Sequence, residues 1–378
     1  MQVNLRYPLQ RITWMMAAGL MVVLAASPQV KGGTIYTQTN LVSNSSATPA
    51  NFIDSNLVNP WGNVSNGGSP FWVSDQGTGL STLYDTSTSP SGMPVSLIVT
   101  IPGGNPTGIV ANTSGFNVDG TAASFIFATL GGTIAGWNGT PTLTNAVTEA
   151  TVSGAVFTGL AEASNSSGTF LYAADFANNK IDVFNSSYVQ QTSGFAFVDP
   201  KLPSGYAPYN VQAINGKLYV EYDPVGTNGM PLPGMGHGIV DVFDTSGNFL
   251  QRLAQHGQLD DPWGIALAPS SFGQFGGDLL IGNFGNGRIN AFNATTGAFI
   301  GTLDLSNGKP FAEPALWSLD FGIGGSGGAP NVLYFTSGLT LQQTGGLLGS
   351  VTATPEPATL TLLGSGLIGL LGLGRRKR

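Results

Sequence analysis

No cysteine occurs in the 378 residues. Disulfides and a thiolate nucleophile are therefore both excluded, and an exported form has to be stable through its core alone. Histidine is nearly absent as well: His237 and His256 are the two present, which rules out a metal centre built on several imidazoles. His237 stands in a Gly-rich stretch and His256 in Gln255-His256-Gly257, and the plainer reading of each is a turn or surface imidazole. Basic residues are scarce, 13 in all, and Arg6, Arg11, Lys31, Arg375, Arg376, Lys377 and Arg378 lie at the two ends. Six remain between those ends, against 20 acidic residues from Asp54 to Glu356, a balance of −14. Without clustered cations to neutralise phosphates, nucleic acid is excluded as a partner, while divalent cations and neutral glycans stay compatible. No serine elbow joins a strand to a helix, because Gly364-Ser365-Gly366 lies in an apolar tail. A long apolar segment of helical period is also missing between Gly33 and Pro355.

Glycine and proline are abundant instead, 55 and 23 residues. With many Ser, Thr and Asn they mark a chain of tight turns, and the body reads as all-β. Two ends flank it. Arg6 and Arg11 precede an uncharged apolar run, Ile12 to Ala26, followed by small residues, the pattern of a signal peptide within residues 1–33. The C-terminus runs Thr354-Pro355-Glu356-Pro357-Ala358, then an apolar stretch from Thr359 to Gly374, then Arg375-Arg376-Lys377-Arg378. The basic cluster is a membrane stop that stays cytoplasmic.

Internal repetition sets the architecture. Asn59-Pro60-Trp61-Gly62 opens a unit that continues through Phe71-Trp72-Val73-Ser74-Asp75 to Leu80–Asp85. Asp261-Pro262-Trp263-Gly264 opens another on the same plan. Taking Trp61, Thr107, Thr158, Tyr209, Trp263 and Trp317 as equivalent gives spacings of 46, 51, 51, 54 and 54 residues. A period near 50 with three or four strands per unit is that of propeller blades. The expected fold is an all-β, six-bladed β-propeller over residues 34–352, with the alternating strand Thr34 to Asn40 completing the last blade from outside. The fourth unit carries the longest loop, Pro224 to His237, either a functional element or a Gly/Pro excursion.

The tail, residues 353–378, resembles the PEP-CTERM sorting signal, also called the ice-binding-protein C-terminal domain, in its Pro355-Glu356-Pro357 triplet, its Gly/Leu-rich apolar segment and its basic end. The resemblance implies an exported protein of a Gram-negative bacterium that makes extracellular polysaccharide. It also implies a partner, an exosortase-type membrane enzyme acting at the triplet, and anchoring in the inner membrane by a C-terminal transmembrane helix until processing. The repeat units resemble NHL-type propeller repeats, most closely at Leu171 to Phe184. Blade order and tail together look like an uncharacterised family of exported proteins, which implies a fold and no activity.

Two sets of residues are candidates for chemistry. Asp75, Asp175 and Asn283 end the second strands of their units, where hard oxygen ligands at one axial mouth would hold Ca2+, the cofactor of lactonase-type propellers. The same residues are also ordinary turn formers. Trp61, Tyr209, Trp263 and Trp317 form a second ring, either an aromatic platform for sugar rings or packing between blades. Two functions follow: a non-enzymatic surface or matrix protein that binds an extracellular polysaccharide or envelope protein, or a Ca2+-dependent hydrolase or lactonase.

Overall fold

The structure is a computed structural model, and it describes residues 34–355 apart from Pro90. The signal peptide, the apolar tail, Glu356, Pro357 and the Arg375–Arg378 cluster lie outside the described residues. Six sheets of four or five strands, antiparallel except for a short parallel pairing of Phe52–Ile53 with Thr34–Ser43, account for almost all the regular structure. Blade 1 holds Pro60–Val64, Phe71–Asp75 and Leu80–Asp85, with two short outer segments. Blade 2 begins at Pro106–Ala111, blade 3 at Phe157–Asn165, blade 4 at Tyr206–Ile214, blade 5 at Pro262–Leu267 and blade 6 at Leu316–Phe321. These first strands touch one another in sequence, and that of blade 6 touches that of blade 1, so they line a closed ring around one axis. No helix among the described residues is long and apolar enough to cross a membrane.

The alternation of each strand explains the ring. A strand sends every second side chain to each face, and both faces of a blade are covered by neighbouring blades. Six apolar clusters result, one per interface. Trp72, Phe125 and Trp137 join blades 1 and 2, while Phe157, Leu171 and Phe184 join blades 2 and 3. Val211, Val220 and Phe243 lie between blades 3 and 4. Val242, Ile265 and Ile281 lie between blades 4 and 5, Leu280, Leu316 and Phe335 between 5 and 6, and Phe71, Tyr84, Tyr334 and Leu348 between 6 and 1. A seventh cluster lies on the axis itself.

Blade 6 is assembled from both ends of the chain. Thr34–Ser43 pairs antiparallel with Leu347–Pro355 over nearly its whole length, from Thr34 opposite Pro355 to Ser43 opposite Leu347. Leu347 lies beside Ser337 and Leu316, at the start of the first strand, whereas Thr352 lies beside Val332 at its far end. The chain therefore reaches Pro355 on the face where the first strands end.

The first strands pack so closely that glycine is required at the contact. A Cβ on Gly108 would run into the backbone of Gly159 and Leu160 in the next blade, and one on Gly159 into Asn210. The long loop of blade 4 is pinned at two points: Gly234 donates its N–H to Asp260 Oδ1 at 2.9 Å and Gly236 to the Leu259 carbonyl at 2.6 Å.

Candidate functional site

The axis has two unlike ends. At the end where the first strands begin, every one of the six carries a bulge: two of its residues oppose one on the second strand, at Trp61-Gly62, Thr107-Gly108, Thr158, Tyr209, Trp263 and Trp317-Ser318. A bulge re-aims a side chain out of the regular alternation. Here the re-aimed aromatics meet. Trp61 and Trp317 stack at 3.6 Å, and Trp263 stands edge-on to both at 5.9 and 5.6 Å. Tyr209 closes on Trp61 at 6.3 Å, Phe176 on Tyr209 at 5.6 Å and Phe284 on Trp317 at 4.5 Å. Trp263 Nε1 donates to the Thr158 carbonyl and Trp317 Nε1 to Asn59 Oδ1, both at 2.9 Å.

The structure thus brings Trp61, Tyr209, Trp263 and Trp317 together, but not as a platform open to solvent. None is more than 4% exposed, and the four rings pack against one another, Trp61 stacked on Trp317 and the other contacts edge-on. They form a plug. Around it, Asn59 Nδ2 donates to Gln76 and Gln343, and Gln76 Nε2 to Asn105 Oδ1 at 2.9 Å.

Asp75, Asp175 and Asn283 lie at this end in equivalent registers, opposite Pro60, Phe157 and Pro262 in blades 1, 3 and 5. Each bonds locally. Asp75 accepts from Thr82 Oγ1 at 2.8 Å, Asp175 from Asn178 Nδ2 at 2.7 Å, and Asn283 donates to the Gln258 carbonyl at 2.7 Å. Burial pushes the Asp75 carboxyl well above the usual carboxylate range and raises that of Asp175. Among the described residues, no group of three or more His, Asp or Glu side chains is placed to hold a metal ion. Both histidines bond backbone at the foot of the blade 4 loop, His237 Nδ1 with the Leu232 carbonyl at 2.8 Å and His256 Nδ1 with that of Gly236 at 2.9 Å.

A carboxylate pair that the spacing did not flag also lies at the sealed end. Asp223 and Asp261 are fully buried, and none of their four carboxylate oxygens finds a donor elsewhere. Burial and the neighbouring Asp261 charge push Asp223 far up, while burial raises Asp261 to about 7. Two buried acids side by side cannot both ionise without cost, so the pair retains a proton and both carboxyls are pushed up.

The opposite end is open. The last residues of the first strands surround a cavity of about 180 Å3 whose floor is Trp263, a member of the plug. Going round the ring, its polar side chains are Asn63 in blade 1, Thr113 after the first strand of blade 2, Glu162 in blade 3, Asn210 and Gln212 in blade 4, and Ser318 and Asp320 in blade 6. Ile109, Leu160, Ile265 and Leu319 supply apolar wall, and no basic side chain lines it. Asn63 is 7% exposed, and neither its Nδ2 nor its Oδ1 has a partner. A buried amide left unbonded costs about 1–3 kcal/mol. Glu162 Oε1 accepts from the Thr113 N–H at 2.8 Å, but its buried Oε2 is also without a partner. Burial raises the Glu162 carboxyl against the opposing Thr113 hydrogen bonds and lifts Asp320 to about 7.

None of these open-end residues was singled out by the repeat spacing, which directs attention to the ends of the second strands. The signal available was a polar side chain flanked by apolar or small residues in a first strand: Asn63 between Gly62 and Val64, and Glu162 between Ala161 and Ala163. A larger rim cavity of about 690 Å3 between blades 4 and 5 holds Arg252, but Asp199 and Asp241 already neutralise that guanidinium.

Residues 353–378 match the PEP-CTERM protein-sorting motif, which marks the chain for export and for processing by an exosortase-type membrane enzyme. Uncharacterized protein R648 of Acanthamoeba polyphaga mimivirus is 31% identical over 344 residues, covering 82% of this chain and 78% of that protein. Uncharacterized protein L690 of the same virus is 32% identical over 209 residues, 52% of this chain and 51% of that one. Among solved structures, virginiamycin B lyase from Staphylococcus aureus covers 84% of this chain and 99% of its own at 13% identity, with a TM-score of 0.45. A gluconolactonase from Xanthomonas campestris covers 78% and 95% at 15% identity and a TM-score of 0.42. Likeness at that level carries no activity across. The 31% identity over most of both chains shows the family: this protein belongs to that of uncharacterized protein R648, with a PEP-CTERM sorting tail behind the propeller.

Proposed function

We propose that the chain is an envelope-associated binding or matrix protein rather than an enzyme, and that the open end of the propeller axis is its ligand site. The observation that carries this reading is the cavity fed by the first strands of all six blades, where the Asn63 amide and one Glu162 oxygen are buried without partners. Buried polar groups are normally satisfied, and a ligand with hydroxyl groups would satisfy these. Convergent polar groups in a concave apolar site are the usual form of a binding pocket. Nothing beside them is poised as a nucleophile, and Glu162 is occupied by Thr113.

In this reading residues 1–33 are a cleaved signal peptide and leader, 34–352 the NHL-like propeller, and 353–378 an anchor in the inner membrane until processing. The same reading places the chain in the uncharacterised exported family that its blades and tail resemble. The Thr34–Ser43 strand then acts as the closure that leaves no free edge between the chain ends. After sorting, the propeller is displayed at the cell surface or in the matrix, where its ligand is an extracellular polysaccharide or envelope component.

Passing extracellular polysaccharide fractions over the immobilised full-length chain tests this. Retention of a fraction, competed by its own soluble oligosaccharides, is expected. No retention of any polysaccharide or envelope fraction would remove the reading.

A further inference from the structure

We propose that the open axial cavity takes the terminal ring of a glycan bearing a primary ammonium group, with Glu162 and Asp320 as its counter-charges and Asn63 as the partner of a ring hydroxyl. This deepens the reading of the chain as a binding protein and rests on it.

Shape comes first. The cavity is a dead end, because the plug of Trp61, Tyr209, Trp263 and Trp317 closes the axis behind it. Its volume of about 180 Å3 is many times the ~10–15 Å3 that admits one water on the same measure, room enough for a sugar ring, and the plug stops an internal stretch of polymer from passing through it. The site therefore reads a chain end.

Charge selects among sugars. Blades 3 and 6 stand opposite in a ring of six, so Glu162 and Asp320 approach the cavity from opposite sides. No lysine or arginine lines the wall. Removing two carboxylates from water without a counter-charge is costly, which pushes both toward the neutral form, and a ligand ammonium would hold them ionised. An anionic sugar would be repelled by the same pair.

Asn63 selects for hydroxyls. Its buried amide offers a free donor and a free acceptor side by side, and a hydroxyl both donates and accepts. This amide is independent of the two acids and is more than nine-tenths buried. Ile109, Leu160, Ile265 and Leu319 would cover the C–H faces of the ring.

The test is calorimetric titration of the full-length chain, near neutral pH, with methyl glucosaminide, methyl glucoside and N-acetylated methyl glucosaminide. The amine should bind about tenfold tighter than the other two, the range of a hydrogen bond to a charged group. Glu162→Gln and Asp320→Asn should each erase that preference, and Asn63→Leu should weaken all three sugars alike. Far-ultraviolet circular dichroism and a melting curve confirm that each variant is folded. Equal affinity for the three sugars would overturn the proposal, as would an amine preference that survives both carboxylate substitutions, or no binding heat from any sugar. A polysaccharide still retained after its amines are acetylated refutes the ammonium assignment and leaves the broader reading standing. Loss of every glycan removes both.

Discussion

Within one strand of blade 1, Trp61 and Asn63 are two residues apart and meet opposite fates. Trp61 is stacked against Trp317 in the aromatic plug. Asn63 is as deeply buried, yet its amide has nothing to bond. The contrast extends to other blades: all six first strands start with a bulge, which carries an aromatic in blades 1, 4, 5 and 6, and every blade but the fifth brings a polar side chain to the open cavity. The sealed end resembles a core in its aromatic packing, and the polar atoms left without partners there, Trp61 Nε1 and the Asp223 and Asp261 oxygens among them, do not line the open cavity. At the open end the unmet hydrogen-bonding groups, Asn63 and one Glu162 oxygen, line a cavity that a ligand can enter. Stability is concentrated at one end of the axis, and the capacity to bind at the other.

Substitutions can break this contrast, and the largest effect belongs to the sealed end. Trp317→Ala removes the ring that stacks on Trp61 and touches Trp263 and Phe284. A cost of about 3–5 kcal/mol is expected from the cavity left behind, measured by urea denaturation. Next comes Gly108→Ala, whose new methyl meets the backbone of blade 3. Overpacking of that kind costs about 1–3 kcal/mol, visible as a lower denaturation midpoint.

The Asp223–Asp261 pair gives a third, smaller effect that depends on pH. Asp261 stands at about 7 in the fold against an ordinary 3.8, so the folded chain holds this proton more tightly than the unfolded one. Its contribution is therefore full below the ordinary value and is lost as pH rises through about 7. Melting temperature should fall across that window, and Asp261→Asn, which cannot ionise, should flatten the fall. An unchanged slope in the variant would show that the pair is not proton-linked. The smallest effect is at the open end. Asn63→Leu should change stability by less than about 1 kcal/mol, because it removes an unbonded amide, while glycan retention drops. A large destabilisation would instead make Asn63 part of the core.

The period of the repeats was legible because each blade must bury both faces against its neighbours, so the same apolar pattern returns near every 50 residues. The equivalence of Trp61, Thr107, Thr158, Tyr209, Trp263 and Trp317 was legible for the same reason, and all six fall at the bulge of a first strand. What those side chains do was not legible. Alternation alone cannot show that a bulge turns an aromatic from the blade interface onto the axis, where it closes the channel instead of lining it. Asn63 and Glu162 escaped notice because they occupy non-equivalent steps of their strands, so no repeat pattern marks them. Asp223 and Asp261 are 38 residues apart in sequence and meet across the boundary of blades 4 and 5.

The most direct test of the two-ended axis compares polysaccharide retention by folded variants of each end: Glu162→Gln and Asn63→Leu at the open end, and Gln76→Ala beside the plug. Loss of retention in the first two, with the third holding polysaccharide as the unaltered chain does, is the predicted result. Retention that survives both open-end substitutions and fails in Gln76→Ala would contradict the account.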